Sequence, residues 1–365
     1  MGAVKKAKTK NQHYVPQFYL RMFSKDGKTI GAYIISQRKY VPTAPIKNQS
    51  SGNYFYSENQ EVEDNLSNIE ALAAEVIEGI KTTPKVRLSK KDWYDIYCFT
   101  IIQIGRTLDR ANFIQEYAEQ FLKGIMHSYV ELKRSIGEIS DVECLTDENI
   151  DGVRINLNKP AMLSLGQYAQ LIKTCIDLKL KVLINNTKIP FITSDNPVCM
   201  YSMFLERVGE PTYALGSRGL MLYFPLSTNV ALLFYDSSCY RVGDRKKTYV
   251  EIFQNDDALN LNCLSACYAN EAIYCLDESI SKYKLEEFAN IHDKFKPQNR
   301  VNSFEKIKCQ DGIIIGNCTN SIYCHLMLSF VKELPIVHAI TKELYDSRKD
   351  QLRPIAYCKD ELMKM

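Results

Sequence analysis

The chain has 365 residues, of which 45% are hydrophobic and 24% charged, a balance typical of a folded globular protein and not of a disordered one. Its formal net charge of +3 is close to neutral, so there is no global electrostatic signature of nucleic-acid binding. No apolar run reaches the ~18 residues that cross a bilayer, and the first residues lack the apolar core of a signal peptide. We therefore expect a cytoplasmic protein without membrane contact.

The twelve cysteines are expected to be reduced thiols, because the chain carries no targeting signal. Their closest groupings are Cys263, Cys267 and Cys275, and Cys309, Cys318 and Cys324 with His325. Neither grouping has the paired two-residue spacing of a zinc knuckle, which argues against a structural zinc site.

The beginning of the chain predicts short elements. Residues 1–10 are a basic tail that we expect to be flexible. Residues 13–23 predict an extended piece followed by a short helix, because Pro16 is tolerated in a first helical turn and apolar residues follow it at helical spacing. Residues 29–56, rich in tyrosine and isoleucine and interrupted by proline and glycine, predict two or three short strands.

Four longer helices are predicted next. Residues 61–80 carry apolar side chains with a period of 3.6 and predict an amphipathic helix. Ser89 and Asp92 form a capping-box pattern that opens a second helix, apolar almost all round. Apolar stripes predict a third helix over residues 110–136 and a fourth over residues 161–178. The first half is therefore predicted to be a helical bundle.

The second half alternates apolar runs with turns. Strands are predicted at 180–184, 189–193, 220–224, 230–235, 272–275, 313–315 and 322–328, and helices at 256–267 and 281–291. The first two runs are interpreted as a strand, a turn and a strand. The predicted fold is α+β, with a mainly helical lobe of residues 11–150, preceded by short strands, packed on a mixed, largely antiparallel lobe of residues 151–365.

A polar layer is predicted between the first two long helices. Gln103 and Arg106 lie on one face of the second helix in apolar company, and a buried arginine needs an acceptor close by. Glu63 and Glu70 are seven residues apart on the preceding helix, which should pack antiparallel to the second. The four side chains either form an ion-pair layer that fixes register, or hold a divalent cation, a water or an anionic group.

A second polar group ends the predicted strand before Pro197. Asp195 is a candidate metal ligand or general base, with Ser194 and Asn196 as hydrogen-bond donors; alternatively it stabilises an Asx-turn. His13 is a candidate acid–base group or a structural residue.

Several stretches together resemble the microbial domain of unknown function 4238 family over roughly residues 10–275. They are HYVPQFYLRMF at residues 13–23, the helix with Glu63 and Glu70, QIGR at residues 103–106 and TSDNPV at residues 193–198. The resemblance implies that the hallmark polar positions are His13, Arg21, Glu63, Glu70, Gln103, Arg106, Ser194, Asp195 and Asn196.

Two functions compete. The first is a hydrolase, such as a metal-dependent nuclease or phosphoesterase, in which Mg²⁺ or Mn²⁺ is bound by Glu63, Glu70 and Asp195 and His13 relays protons. The substrate-binding residues would be Arg21, Gln103, Arg106, Ser194 and Asn196. This hypothesis requires the catalytic side chains to converge on one metal shell. The alternative is a non-catalytic binding or regulatory module, with microbial defence as one setting, whose 23 tyrosines supply a surface for protein or nucleic acid.

Overall fold

The computed structural model describes residues 10–85, 87–138, 144–210, 213–276, 280, 282–297, 301, 305–309, 312–316, 321–346 and 353. The α-helices are α1 (Gln17–Arg21), α2 (Gln60–Thr82), α3 (Lys90–Gly105), α4 (Leu108–Ser135), α5 (Asp147–Asp151), α6 (Pro160–Leu171), α7 (Met203–Val208), α8 (Asn255–Tyr268), α9 (Lys282–Phe295), α10 (Pro335–His338) and α11 (Lys342–Asp346). The predicted tail lies outside the described residues except for Lys10, as do Cys318 and the side chain of Cys309.

The strands are β1 (Asn11–His13), β2 (Thr29–Ile34), β3 (Lys39–Pro45), β4 (Ser51–Asn53), β5 (Lys179–Asn185), β6 (Thr193–Ser194), β7 (Cys199–Tyr201), β8 (Met221–Pro225), β9 (Val230–Tyr235), β10 (Tyr240–Val242), β11 (Tyr249–Ile252), β12 (Ala272–Cys275), β13 (Glu305–Cys309), β14 (Gly312–Gly316) and β15 (Val331–Glu333). The predicted mixed α+β fold is confirmed, with a helical segment from α2 to α6 and mixed and antiparallel sheets elsewhere.

The helical segment follows the predicted pattern, because its boundaries are set by local capping. The Ser89 hydroxyl accepts the N–H of Asp92, and the Asp92 carboxylate accepts the N–H of Ser89, so the predicted capping box opens α3. Thr107 caps α4 in a similar way, through the N–H of Arg110. Helix α6 is shorter than predicted, since a 3₁₀ turn over Ile172–Cys175 replaces its last residues.

A five-stranded sheet forms the centre of the second half, in the order β11-β5-β9-β8-β7. Only β11 and β5 pair in parallel; the other neighbours are antiparallel. Strands β8 and β9 form a hairpin, as the two apolar runs predicted, and every residue of both strands is buried. A strand buried on both faces reads as a continuous apolar run because neither face meets water.

The second sheet is antiparallel and has the order β3-β2-β12-β6. The prediction of a strand at 189–193 that pairs with the preceding strand is wrong: β6 comprises two residues and pairs with β12. The residues between β5 and β6 connect the five-stranded sheet to this second sheet. Asn262 of α8 satisfies their backbone, accepting the N–H of Ile192 at 3.0 Å and donating to the carbonyl of Pro190 at 2.9 Å.

The predicted strand at 322–328 is also wrong, since this segment has no regular secondary structure. Side chains take the place of a neighbouring strand. The Tyr201 hydroxyl accepts the N–H of Leu326, and the Glu206 carboxylate accepts the N–H of His325, whose φ of 53° lies in the left-handed region. An apolar pattern indicates burial here, and tertiary partners decide the backbone.

One hydrophobic cluster contains buried residues from both halves of the chain, from Tyr14 to Tyr345. Helix α6 lies beyond the predicted lobe boundary at residue 150, yet it packs on α3 and α4. The division into lobes at that residue therefore stays a prediction.

The contact of α3 with α6 requires glycine at position 105. A Cβ at Gly105 would lie 2.5 Å from Cβ and 2.7 Å from Cγ of Tyr168, atoms too close to the backbone to move aside. We expect Gly105→Ala to lower the free energy of unfolding by about 1–3 kcal/mol through overpacking. Urea denaturation measures the change. The matched control is Gly166→Ala on α6, where a Cβ meets no atom within 4 Å and the helix should gain slightly. Equal effects of the two substitutions would contradict the packing argument.

Candidate functional site

Arg106 is the centre of the predicted polar layer and is only 3% exposed. Its Nη1 donates to Oε1 of Glu70 at 2.7 Å, its Nε to the Tyr56 hydroxyl at 3.1 Å and its Nη2 to the carbonyl of His13 at 2.7 Å. Glu70 is thus the carboxylate that a buried arginine was predicted to need. Each guanidinium nitrogen already has a partner within the fold.

The N-terminal motif supplies backbone acceptors to this layer. The carbonyl of Tyr14 accepts a hydrogen bond from Nε2 of Gln103 at 2.9 Å, while Oε1 of Gln103 is buried without a hydrogen-bond partner. The Gln12 amide oxygen accepts the N–H of Tyr56, whose hydroxyl donates to the carbonyl of Arg106. The motif around His13 therefore fastens the residues before α2 to the end of α3.

His13 and Glu63 are half-buried at the edge of the layer. Burial lowers the pKa of His13, and the charge of Arg106 lowers it further, although a hydrogen bond to the carbonyl of Lys47 opposes both. Burial raises the pKa of Glu63 against the opposing charge of Arg106. His13 is consequently neutral near pH 7, and Glu63 is easier to protonate than an exposed glutamate.

Arg21 lies on the exposed side of α1, where its Nη2 donates to Oε1 of Gln17 at 3.1 Å. Its charge contributes to the lowered pKa of His13, so the two side chains are neighbours. Arg21 is an accessible cation beside the layer.

Ser194 and Asp195 make hydrogen bonds that stabilise a local turn and a neighbouring loop, respectively. Asp195 is 2% exposed, and its two carboxylate oxygens accept the N–H groups of Asn270 and Glu271 at 2.8 and 2.7 Å. Burial raises the pKa of Asp195 to about 6, even though these two hydrogen bonds favour the charged form. The Ser194 hydroxyl accepts the N–H of Asn196 and donates to its carbonyl. Asp195 thus fastens the loop between α8 and β12 instead of its own turn.

The predicted site residues form two groups. Direct hydrogen bonds join His13, Glu70, Gln103 and Arg106 through the N-terminal motif, with Glu63 and Arg21 close enough to be part of the same electrostatic cluster. Ser194, Asp195 and Asn196 form the other. Among the described residues, no set of three or more His, Cys, Asp or Glu side chains is arranged to hold a metal ion. The Mg²⁺ or Mn²⁺ site at Glu63, Glu70 and Asp195 stays a prediction.

Asn196 lines a cavity of about 60 Å³ between the helical segment and the sheets. The other lining residues are Ile104, Arg110, Phe113, Val198, Met200, Tyr213, Tyr268, Ser321 and Ile322. Asn196 is 3% exposed, and its side-chain amide makes no hydrogen bond in the described chain. Its amide atoms face the cavity, where a ligand or water can complete their hydrogen bonds.

Sequence reasoning missed the cavity and most of its wall. Arg110 is three residues after Thr107, the capping residue of α4, a position that predicts a helix start but no ligand contact. Ser321 lies far along the chain from Arg110 and outside any motif. Tyr56 was missed as well, since a tyrosine hydroxyl in a loop has no periodic signal.

Tyrosine contributes mainly to the core of this protein. Most of the 23 tyrosines are buried. Among the described residues, the exposed ones with large apolar area are Tyr94, Tyr117 and Tyr129. Two of these exposed tyrosines, Tyr117 and Tyr129, lie on α4, and the macromolecular partner stays a prediction.

These features define a mixed α+β protein built around a buried arginine layer and an adjoining polar cavity. In the described part of the chain, each helix is too short or too polar to span a bilayer. The chain belongs to the family described as Protein of unknown function (DUF4238), whose model matches residues 11–279 and so includes every predicted site residue. No curated protein and no solved structure matches the chain.

If Glu70 acts as the counter-ion of Arg106, its removal should destabilise the fold without any metal present. We expect Glu70→Gln to lower the free energy of unfolding by about 1–3 kcal/mol, less than for a fully buried pair because Glu70 is 26% exposed. Denaturation in chelator-treated buffer measures this, with the exposed Glu75→Gln on the same helix as control. A loss that appears only when Mg²⁺ or Mn²⁺ is added would instead indicate a metal ligand.

The raised pKa of Asp195 predicts a pH dependence of stability. The unfolded chain releases this proton near pH 4, whereas the folded protein keeps it up to about pH 6. The resulting stabilisation is complete below about pH 4 and is lost as the pH rises through about 6. We expect the free energy of unfolding of the wild type, relative to Asp195→Asn, to increase by roughly 2 kcal/mol between about pH 7.5 and 4.5. If urea denaturation shows the same pH dependence of the free energy of unfolding for the wild type and for Asp195→Asn, the raised pKa of Asp195 is refuted.

Proposed function

We propose that this chain is a non-catalytic binding module whose ligand site is the cavity around Asn196. The observation that carries the proposal is the Asn196 side chain, which is almost fully buried, lines the cavity and has no hydrogen-bond partner in the described chain. Such a group is favourable only when a ligand or water completes its hydrogen bonds.

The bonding of the predicted catalytic groups supports a binding role over a metal-dependent hydrolase. All three nitrogens of Arg106 and both carboxylate oxygens of Asp195 are engaged by the fold. A metal at Asp195 would have to compete with backbone N–H groups for the carboxylate oxygens. The hydrogen bonds of Arg106 and Asp195 hold different parts of the fold together, which is a structural role.

A small ligand fits better than a macromolecule. The cavity of about 60 Å³ exceeds the roughly 10–15 Å³ that one water needs, yet it admits only a small molecule or the end of a larger one. Its aliphatic and aromatic walls surround a few convergent polar groups, which is the usual composition of a small-molecule site.

A hydrolase using His13 and Glu63 is the second candidate. The lowered pKa of His13 and the raised pKa of Glu63 suit a general base and a general acid on either side of Arg106. In this hypothesis the carboxylates hold Mg²⁺ or Mn²⁺, and Arg21 contacts a phosphoester substrate.

Thermal unfolding of the full chain tests the binding role with a panel of small ligands, namely nucleotides, sugar phosphates, amino acids, dicarboxylates and inorganic ions. We expect at least one class to raise the Tm of the wild type and of Asn65→Leu, an exposed control on α2, but not of Asn196→Leu. Asn196→Leu should be as stable as the wild type without ligand, because the Asn196 amide makes no hydrogen bond in the described chain that the substitution could remove.

The same preparations distinguish the alternatives. A panel without any stabilising ligand would reject the binding role. Turnover of a phosphodiester with Mg²⁺ or Mn²⁺ that is lost in His13→Gln, and unchanged in Asn196→Leu, would establish the hydrolase instead.

A further inference from the structure

Arg110 reaches the cavity with one nitrogen unused. Its Nε and Nη2 donate to Oδ2 of Asp109 at 3.1 and 2.9 Å, and its guanidinium lies 4.8 Å from the ring centre of Phe113. Nη1 has no hydrogen-bond partner in the described chain. The side chain is 14% exposed, so the Asp109 pair and the ring fix its orientation toward the cavity.

The counter-ion of Arg110 is shared. Asp109 is 4% exposed and also lies 3.6 Å from Nζ of Lys296, which donates to the carbonyl of Ala269 at 2.6 Å. The charge of Lys296 also acts on Asp195, where it opposes the rise in the pKa of that carboxyl, and the Asp195 oxygens accept backbone N–H groups. Asp109 therefore faces two cations, Arg110 and Lys296.

Two further groups of the wall can donate to a ligand. The Asn196 side chain has two N–H bonds to give beside its acceptor oxygen, and Ser321 accepts the N–H of Tyr213 at 3.1 Å, which leaves its own hydroxyl proton to donate. The Tyr213 hydroxyl already donates to the carbonyl of Met200 at 2.8 Å. Two donors beside a cationic nitrogen match the oxygens of an anion better than a cation.

We propose that the cavity is an oxyanion site in which Nη1 of Arg110, the Asn196 amide and the Ser321 hydroxyl donate to a phosphate group. The inference rests on the proposed binding function and adds the class of ligand. The cavity is large enough for one tetrahedral oxyanion, and Ile104, Val198 and Ile322 form the apolar part of its wall. The shared chemistry is that of free phosphate and of a phosphoryl group on a small molecule.

Calorimetric titration of the full chain with inorganic phosphate in a chloride-matched buffer tests this. We expect one site in the wild type, at least about tenfold weaker in Asn196→Leu and in Arg110→Lys, which keeps the charge but loses the planar fork of donors. Ser321→Ala should weaken binding several-fold. The control is Arg154→Lys, whose side chain is 70% exposed.

A second titration, with glycerol phosphate, shows whether the ligand is free phosphate or a phosphoryl group on a small molecule. Tighter binding than that of inorganic phosphate supports a phosphoryl group on a larger ligand, and weaker binding supports the free ion.

Phosphate binding that is equal in all variants would overturn the site. Absence of phosphate binding, while another ligand class still stabilises the wild type but not Asn196→Leu, would overturn the oxyanion and leave the binding function intact. If Arg110→Lys fails to fold, Asn196→Leu and Ser321→Ala carry the test.

Discussion

The arrangement of the first hundred residues depends on one buried cation. Removing a guanidinium from water is costly unless charge and hydrogen bonds compensate for it. The partners of Arg106 come from α2 through Glu70, from the preceding loop through Tyr56 and from the N-terminal strand through the carbonyl of His13. Because each partner lies on a different element, satisfying a single side chain fixes the relative positions of all of them.

The N-terminal motif joins this layer to the sheets through Tyr19. Its hydroxyl donates to the carbonyl of Pro225 at 2.6 Å and lies 2.7 Å from the Thr193 hydroxyl, while its ring stacks on Phe224. On the other side of the motif, backbone carbonyls accept hydrogen bonds from Gln103 and Arg106. The sequence stretches that carry the resemblance to the family are therefore joined by hydrogen bonds to one another in this fold.

The features that could be predicted from the sequence are those that depend on local periodicity or on one buried charge that requires a partner of opposite charge. The helices were found because capping and apolar spacing are local, and the layer was found because a buried arginine on one helix requires a carboxylate on its neighbour. The other features depend on tertiary contacts between residues that are distant in the sequence and could not be predicted. The run before Thr193 has the composition of a strand, but Asn262, which is distant in the sequence, takes its hydrogen bonds. The cavity combines Arg110, Asn196 and Ser321, whose proximity no spacing reveals.

The antiparallel sheet also affects how the protein is made. Strand β2 pairs on one side with β3, an edge strand that Pro42 and Pro45 protect against further pairing, and on the other side with β12, about 240 residues later. On a ribosome that adds about 5–20 residues per second, the inner edge of β2 waits for tens of seconds before its partner exists. The inner edge of β2 therefore has unpaired backbone groups while the second half is being made, and the family's matched region, which ends at residue 279, includes the strand that closes this edge.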